Sequence, residues 1–271
     1  MSNNREIKVM GIVNLNDDSF FEGSRCPDSM TMLKRVEKML NDGADMIDIG
    51  ACSTRPGSVP VSETIELNVI TSAAKALKHE FGSIDLSIDT FRASVVKSAY
   101  DAFGPFTVND ISSGEDDENM LKTVGELRLP YIAMHKRGTP QTMQSLCDYD
   151  DVVEEVKTYF EEFAAKAQRH DLLQIFVDPG FGFAKDYDQN YTLLKNLDKI
   201  APEYKGRKVA VLAGISRKSM IWKYLGITPD KALPTTSALH LYALQKGASI
   251  LRVHDVAEAV EVVKIFTKFA L

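Results

Sequence analysis

Ile175-Phe-Val-Asp-Pro-Gly-Phe-Gly-Phe-Ala-Lys185 is the stretch around which the chain is organised. Residues 175–178 read as a short buried strand, apolar and β-branched, that ends in a carboxylate. Pro179 and Gly180 stop it at once, because proline has no N–H for the ladder and glycine permits a sharp exit. An acid at the C-terminal tip of a strand has two readings. It is a turn residue that caps the next helix, or it faces a ligand above the sheet. The rest of the chain decides between them.

Seven further segments repeat the pattern of a short apolar strand, a polar tip and a helix. Residues 7–13 lead into Asn14, and 46–49 lead into a loop carrying Thr54 and Arg55. Residues 85–89 end in Asp89, 106–108 deliver Asn109 and Asp110, and 131–134 deliver His135. Residues 208–215 deliver Ser216-Arg-Lys218, and 250–253 carry Arg252 within them and His254 at their tip. Apolar residues at spacings of three and four predict helices over 29–41, 63–80, 92–103, 120–128, 151–170, 187–197, 219–225, 235–246 and 256–269. Eight alternations without a linker in 271 residues predict an α/β fold: one (β/α)8 TIM-barrel domain over 1–271, with long loops after strands 1 and 2. An open doubly wound sheet is the alternative. It usually has fewer strands and often a GxGxxG first turn, which is absent here.

Composition excludes several partners. An apolar fraction of 44% with 26% charged residues is that of a soluble globular protein. A formal charge of −6 argues against nucleic acid and anionic membranes. Cys26, Cys52 and Cys147 show no metal spacing, and their odd number suits a reducing compartment. No apolar signal segment follows the polar start and nothing approaches a membrane span, so the expected location is cytoplasmic.

In a TIM barrel the reacting groups come from the C-terminal strand ends. Singly, these have plain readings: Asp89-Thr90 as a helix cap, Asn109-Asp110 as a turn, Ser216-Arg-Lys as a solvated basic segment, and His254-Asp255 as a cap with its partner. Converging on one rim, they make a site. Asp89, Asn109 and Asp178 supply acceptors beside a donor amide, which suits a planar heterocycle with an amino-amidine edge. Lys218 would satisfy a ring carbonyl or nitrogen. Arg55, Arg252 and His254 form a cationic group near Asn14, suited to phosphate or pyrophosphate. Neither a Ser-His-Asp order nor HExxH is present.

These residues resemble the dihydropteroate synthase family nearly end to end. The resembling pieces are Met10-Gly-Ile-Val-Asn14, Asp18-Ser-Phe20, Asp45-Met-Ile-Asp-Ile-Gly50, Ser53-Thr-Arg-Pro-Gly57 and Ser87-Ile-Asp-Thr90. They continue with Asn109-Asp-Ile111, Met134-His135, Asp178-Pro-Gly-Phe-Gly-Phe-Ala-Lys185, Ser216-Arg-Lys-Ser219 and Arg252-Val-His-Asp255. The resemblance implies condensation of 6-hydroxymethyl-7,8-dihydropterin pyrophosphate with p-aminobenzoate, pyrophosphate leaving first, by a homodimeric sulfonamide target. It places the pterin on Asp89, Asn109, Asp178 and Lys218, with Met134, Phe183 and Arg252 on its faces. It assigns pyrophosphate to Asn14, Arg55, Arg252 and His254, with Asn14 as ligand of the Mg²⁺ cofactor. It assigns p-aminobenzoate to Phe20, Thr54, Pro56 and Ser219.

Three departures from the family pattern stand out. Glu22 replaces a loop-closing Asp, Cys52 replaces a loop-anchoring Glu, and Thr235-Thr-Ser-Ala238 replaces a Gly-rich segment. The rival readings are a pterin-dependent corrinoid methyltransferase, which has no need of a pyrophosphate site, and a pterin-binding paralogue without turnover.

Overall fold

Successive residues of each strand point to opposite faces, and here the two faces meet different cores. The structure, a computed structural model, describes residues 6–15, 27–52, 61–139 and 141–270. The barrel strands are β1 (Lys8–Asn14), β2 (Met46–Gly50), β3 (Leu86–Asp89), β4 (Thr107–Asp110), β5 (Pro130–Met134), β6 (Gln174–Asp178), β7 (Ala210–Ala213) and β8 (Ala248–Val253). They pair in parallel and close in the order β1-β8-β7-β6-β5-β4-β3-β2. Closure excludes the open doubly wound sheet.

Outward-facing Val9, Ile47, Ile49, Ile88, Val108, Val177 and Leu251 join the buried residues of the surrounding helices in one large core. Inward-facing Met10, Met46, Ile132, Leu212 and Ile250, with Phe176 against them, form a separate plug inside the barrel. Each large apolar side chain removed from water this way contributes about 1.5–3 kcal/mol. Further along the same inward rows, the apolar residues give way to Asp48, Asp89, Asn109, Asp178 and Arg252. Register sets Asp89 beside both Gly50 and Asn109, and Asp178 beside Met134.

The outer layer comprises α1 (Pro27–Asn41), α2 (Glu63–Phe81), α3 (Ala93–Phe103), α4 (Met120–Leu127), α5 (Val152–Arg169), α6 (Tyr187–Lys195), α7 (Ser219–Trp222), α8 (Leu233–Gln245) and α9 (Val256–Ala270). Their starts follow local polar residues. Asp151 accepts the Val153 and Glu154 N–H groups and so stands before α5 rather than inside it. Asp186 and Gln189 form a reciprocal capping box at α6. No helix among the described residues is long and apolar enough to cross a membrane.

Among the boundaries that differ from expectation, three stand out. Asn109 and Asp110 lie within β4, not beyond it. The strand expected over 208–215 is divided: Arg207–Lys208 pairs antiparallel with Glu203–Tyr204, and the barrel strand is only Ala210–Ala213. Lys208 belongs to this hairpin, which turns through Lys205 and Gly206 at φ +49° and +75°, and the Val209 N–H still donates to the Pro202 carbonyl at 2.9 Å, so barrel pairing starts only at Ala210. Lys218 is therefore presented by a loop five residues beyond the strand. Finally, α8 begins at Leu233 after a 3₁₀ turn (Pro229–Ala232), ahead of the predicted start at 235. The loops expected after β1 and β2 include residues 16–26 and 53–60, which lie outside the described residues.

Candidate active site at the C-terminal mouth

Asp178 closes a turn but does not cap the next helix, whose cap is Asp186. Asp178 Oδ1 accepts the Gly180 N–H at 2.8 Å. Gly180 is required there: φ is +67°, and a Cβ would approach the His135 carbonyl oxygen to 2.0 Å. The other oxygen is left towards the barrel axis. A Cβ built on Gly214 would sit 3.5 Å from Asp178 Oδ2 and 4.0 Å from Lys218 Nζ, so these two polar atoms flank one point. Burial raises the Asp178 carboxyl above the usual carboxylate range, with Lys218 opposing. Burial lowers the Lys218 amine to about 8, with Asp178 opposing. Its Nζ donates to the Phe181 carbonyl and lies 4.9 Å from the Phe183 ring centre.

Arg252 ties the acids together. Its Nε donates to Asp48 Oδ2 at 2.7 Å, and its Nη2 donates to Asp89 Oδ2 at 2.8 Å. Asn109 Nδ2 donates to both Asp48 oxygens at 3.3 Å. Gly50 makes room for this arrangement, since a Cβ there would come within 2.9 Å of Asp89 Cβ. Burial raises the Asp89 carboxyl, against the pull of Arg252. Asp89 is thus not a helix cap; the Arg92 N–H at the start of α3 donates to Thr90 Oγ1 instead. Arg252 belongs to both groups that the sequence suggests, the acceptor floor and the cationic rim.

Asp48 is not among the site residues that the sequence points to. Its signal is a carboxylate in the middle of an apolar strand, because a fully buried charge demands a partner. That partner is 204 residues away in the chain, where no local pattern reaches.

His254 also departs from expectation. The sequence places it with the cations, but burial first, and then the Arg252 charge, lower it to about 4. It is a neutral imidazole at neutral pH, with Nδ1 3.1 Å from Ser216 Oγ. Arg217 is not a solvated base: it pairs with both oxygens of Asp255 at 2.7 and 2.9 Å and donates to the Pro229 and Asp230 carbonyls. Of the Ser216-Arg-Lys run, Lys218 is the residue placed near Asp178. The His135 ring leaves the site as well, bonding to Lys185 and packing against Tyr159.

Behind β3, Glu66 accepts Thr90 Oγ1 at 2.6 Å and pairs with Arg92, which also reaches the Val61 carbonyl. Cys52 lies 3.7 Å from the same guanidinium. The carboxylate lost by having cysteine at 52 is therefore not missed by Arg92, which has Glu66. Burial, followed by Glu66, pushes the Cys52 thiol up to about 12, so it is no nucleophile.

Asn14 ends β1 beside Gly50. Met134 ends β5, buried, its carbonyl accepting from Ser113 Oγ at 3.0 Å. Ser219 opens α7 directly after Lys218. Phe20, Glu22, Thr54, Arg55 and Pro56 lie outside the described residues. Among the described residues no three His, Cys, Asp or Glu side chains cluster as a metal cage. A single Asn14 oxygen nonetheless fits Mg²⁺, which keeps several waters and takes its remaining ligands from substrate phosphates.

A cavity of about 830 Å³ opens at the opposite mouth, among Lys8, Asp85, Gln174, Lys208 and Ser249. Lys8 is paired with Asp85 at 2.9 Å, and nothing there matches the acid–Arg–Lys array. That array lies at the C-terminal mouth, the end where barrels place their binding chemistry.

The pterin binding enzyme family matches residues 10–254. A dihydropteroate synthase from Synechocystis sp. is 40% identical over 260 residues, covering 95% of this chain and 88% of the relative. A Yersinia pestis dihydropteroate synthase in a sulfonamide drug complex superposes with a TM-score of 0.87 at 34% identity, over 97% of this chain and 94% of that one. A Burkholderia cenocepacia dihydropteroate synthase complexed with 7,8-dihydropteroate gives 0.86 at 36% identity, over 98% and 92%. The chain belongs to the pterin binding enzymes and, among them, to the dihydropteroate synthase family.

Proposed function

We propose that the C-terminal mouth condenses 6-hydroxymethyl-7,8-dihydropterin pyrophosphate with p-aminobenzoate, giving 7,8-dihydropteroate and pyrophosphate. The observation that carries this is the convergence of Asp89, Asn109, Asp178 and Lys218 around Arg252 at one mouth. A pterin presents several N–H donors along one planar edge. Asp178 Oδ2, Asp89 and the Asn109 amide oxygen are acceptors for it, the Asn109 NH₂ being taken by Asp48. Lys218 releases the Phe181 carbonyl and donates to the ring. Phe183 and Met134 pack one face, and the Arg252 guanidinium stacks on the other.

Pyrophosphate is held by Arg252 and His254 together with Asn14 and Arg55, guanidinium forks matching phosphate oxygens. Asn14 is assigned to Mg²⁺, which when bound neutralises charge on the pyrophosphate oxygens. The methylene C–O bond breaks first, and its electron pair leaves with the pyrophosphate. Asp89 and Asp178 stabilise the positive methylene that remains. The amine of p-aminobenzoate, held by Ser219, Phe20, Thr54 and Pro56, then forms the C–N bond and loses its proton to water. Such an amine attacking a cation needs no strong general base. We place the working protein in the cytoplasm as a homodimer, a state that light scattering would test.

The direct experiment supplies both substrates with Mg²⁺ and follows pyrophosphate release and dihydropteroate formation. Folded protein that yields neither product would sink the proposal. Methyl transfer to a corrinoid would redirect it to the methyltransferases, and pterin binding alone would mark a paralogue without turnover.

A further inference from the structure

Lys185 is a buried amine that the reaction above does not use. It is 3% exposed, and its hydrogen bonds go to neutral groups. Nζ lies 2.9 Å from both His135 Nδ1 and the Phe183 carbonyl oxygen, 3.3 Å from the Gly180 carbonyl and 3.5 Å from the His135 carbonyl, four partners among which an ammonium shares its three N–H bonds. Burial lowers the amine to about 7, with Asp178 opposing, and the bonds offset the cost of burying its ammonium form only if they are kept.

The partners define what the ammonium holds. Gly180 and Phe183 lie in the loop between β6 and α6, which begins at Asp178 and carries the Phe183 ring. His135 directly follows Met134 at the tip of β5. One side chain therefore ties together two walls of the pterin pocket, from the side away from the ligand. Burial, then Lys185 itself, keep the His135 imidazole neutral, so that Nδ1 accepts when Nε2 carries the proton, and Tyr159 meets the ring edge-on with centroids 4.9 Å apart. Asn190 of α6 braces the same loop, accepting the Gly182 N–H at 2.7 Å and donating to the Lys185 carbonyl at 3.1 Å. Lys218 grips it from the ligand side through the Phe181 carbonyl. When Lys218 turns to the pterin, Lys185 and Asn190 remain to keep the loop in place.

We propose that Lys185, acting through His135 and the Gly180 and Phe183 carbonyls, is a positioning residue that sets Phe183, Asp178 and Met134 for pterin binding. The inference rests on the dihydropteroate synthase reading. It assigns Lys185 to one substrate only, because its acceptors all lie on the two walls given to the pterin, the β5 tip and the loop after β6.

The test uses the full-length enzyme and Lys185→Met, which keeps the stem and removes the donor. Dihydropterin pyrophosphate affinity should weaken about tenfold or more, as expected for losing hydrogen bonds to a charged donor. The KM for p-aminobenzoate at saturating pterin should stay within about twofold. A merely structural role would lower the melting temperature and the active fraction while leaving pterin affinity per active site unchanged, and that result would overturn the proposal. Should Lys185→Met not fold, a second pair decides. His135→Asn places a carbonyl oxygen near the position of Nδ1 and should keep affinity within about threefold, whereas His135→Leu removes the acceptor and should not. Equal affinities for that pair would also overturn it. Wild-type protein that makes no dihydropteroate would instead fail the parent reading.

Discussion

Asp48→Asn isolates what the buried acid does for Arg252. Asp48 is fully buried, while the Arg252 side chain is 23% exposed and keeps a second carboxylate, Asp89, at 2.8 Å. The amide preserves shape but removes the charge facing Nε and Nη2. Its NH₂ must then face a donor, either the guanidinium or the Asn109 amide. Removing one partner of a buried pair costs about 3–5 kcal/mol. The remaining Asp89 contact and the partial hydration of Arg252 place this case at the lower end, about 3 kcal/mol, a large share of the roughly 5–15 kcal/mol that holds a domain folded. Asp89→Asn leaves Arg252 its two bonds to Asp48 and should cost only about 1 kcal/mol. The order reverses for ligand, since Asp89 offers the acceptor and Asp48 lies behind it. Pterin affinity should fall further in Asp89→Asn. Urea unfolding at constant m-value gives the first ranking and titration calorimetry with a pterin gives the second. A stability loss below about 1 kcal/mol for Asp48→Asn, or the same order in both assays, would refute the division of labour.

Asp178→Ala should abolish measurable pterin binding, because it removes the turn acceptor and the ligand acceptor together; an unchanged titration would contradict the role given to Oδ2. Gly180→Ala should destabilise the protein by about 3 kcal/mol or more, since a clash with backbone at 2.0 Å adds to left-handed strain; wild-type melting would show that the β5 tip can move aside. His240 is buried with no hydrogen-bond partner for Nε2 among the described residues, and burial lowers it to about 4. Below pH 6.5 the unfolded chain binds a proton that the folded one refuses, so stability falls as pH drops from 6.5 towards 4, by up to about 1.4 kcal/mol per unit for this group. His240→Leu should therefore flatten the acid limb of the stability profile, and unfolding curves at pH 7 and 5 with an unchanged difference would count against it.

The barrel is legible in the sequence because short strands with apolar outward-facing residues alternate with helices along the whole chain, a pattern that few folds other than a closed parallel sheet accommodate. What escapes depends on contacts distant in sequence. Arg217 and Lys218 are adjacent bases with no local sign to separate them. A left-handed turn at Arg217, φ +52°, sends one to Asp255 and the other to Asp178. Strand 7 reads too long in sequence for a related reason, since nothing local separates Lys208 and Val209, which bond back to Glu203 and Pro202, from the barrel strand that follows. The position of His254 is legible but its charge is not, because its protonation is set by burial and by Arg252.

The charges at the mouth suit the two halves of the proposed reaction differently. The floor combines three carboxylates, Asp48, Asp89 and Asp178, with two cations, Arg252 and Lys218. Fully ionised, it would carry an excess of one negative charge, yet burial raises both Asp89 and Asp178. In the resting site this leaves a nearly balanced floor, which suits a neutral pterin read by hydrogen bonds. Once the C–O bond breaks, a positive methylene lies above these carboxylates, and the same burial that raised them strengthens their attraction for it. His254 changes in the opposite sense. Neutral while the site is empty, it gains a reason to take a proton as anionic charge collects beside Arg252. Pyrophosphate binding should accordingly be coupled to proton uptake near neutral pH. Replacing His254 with Asn should remove that uptake while sparing pterin affinity. Calorimetry of pyrophosphate binding in buffers of different ionisation enthalpy measures the coupling, and equal proton uptake by wild type and variant would refute this account.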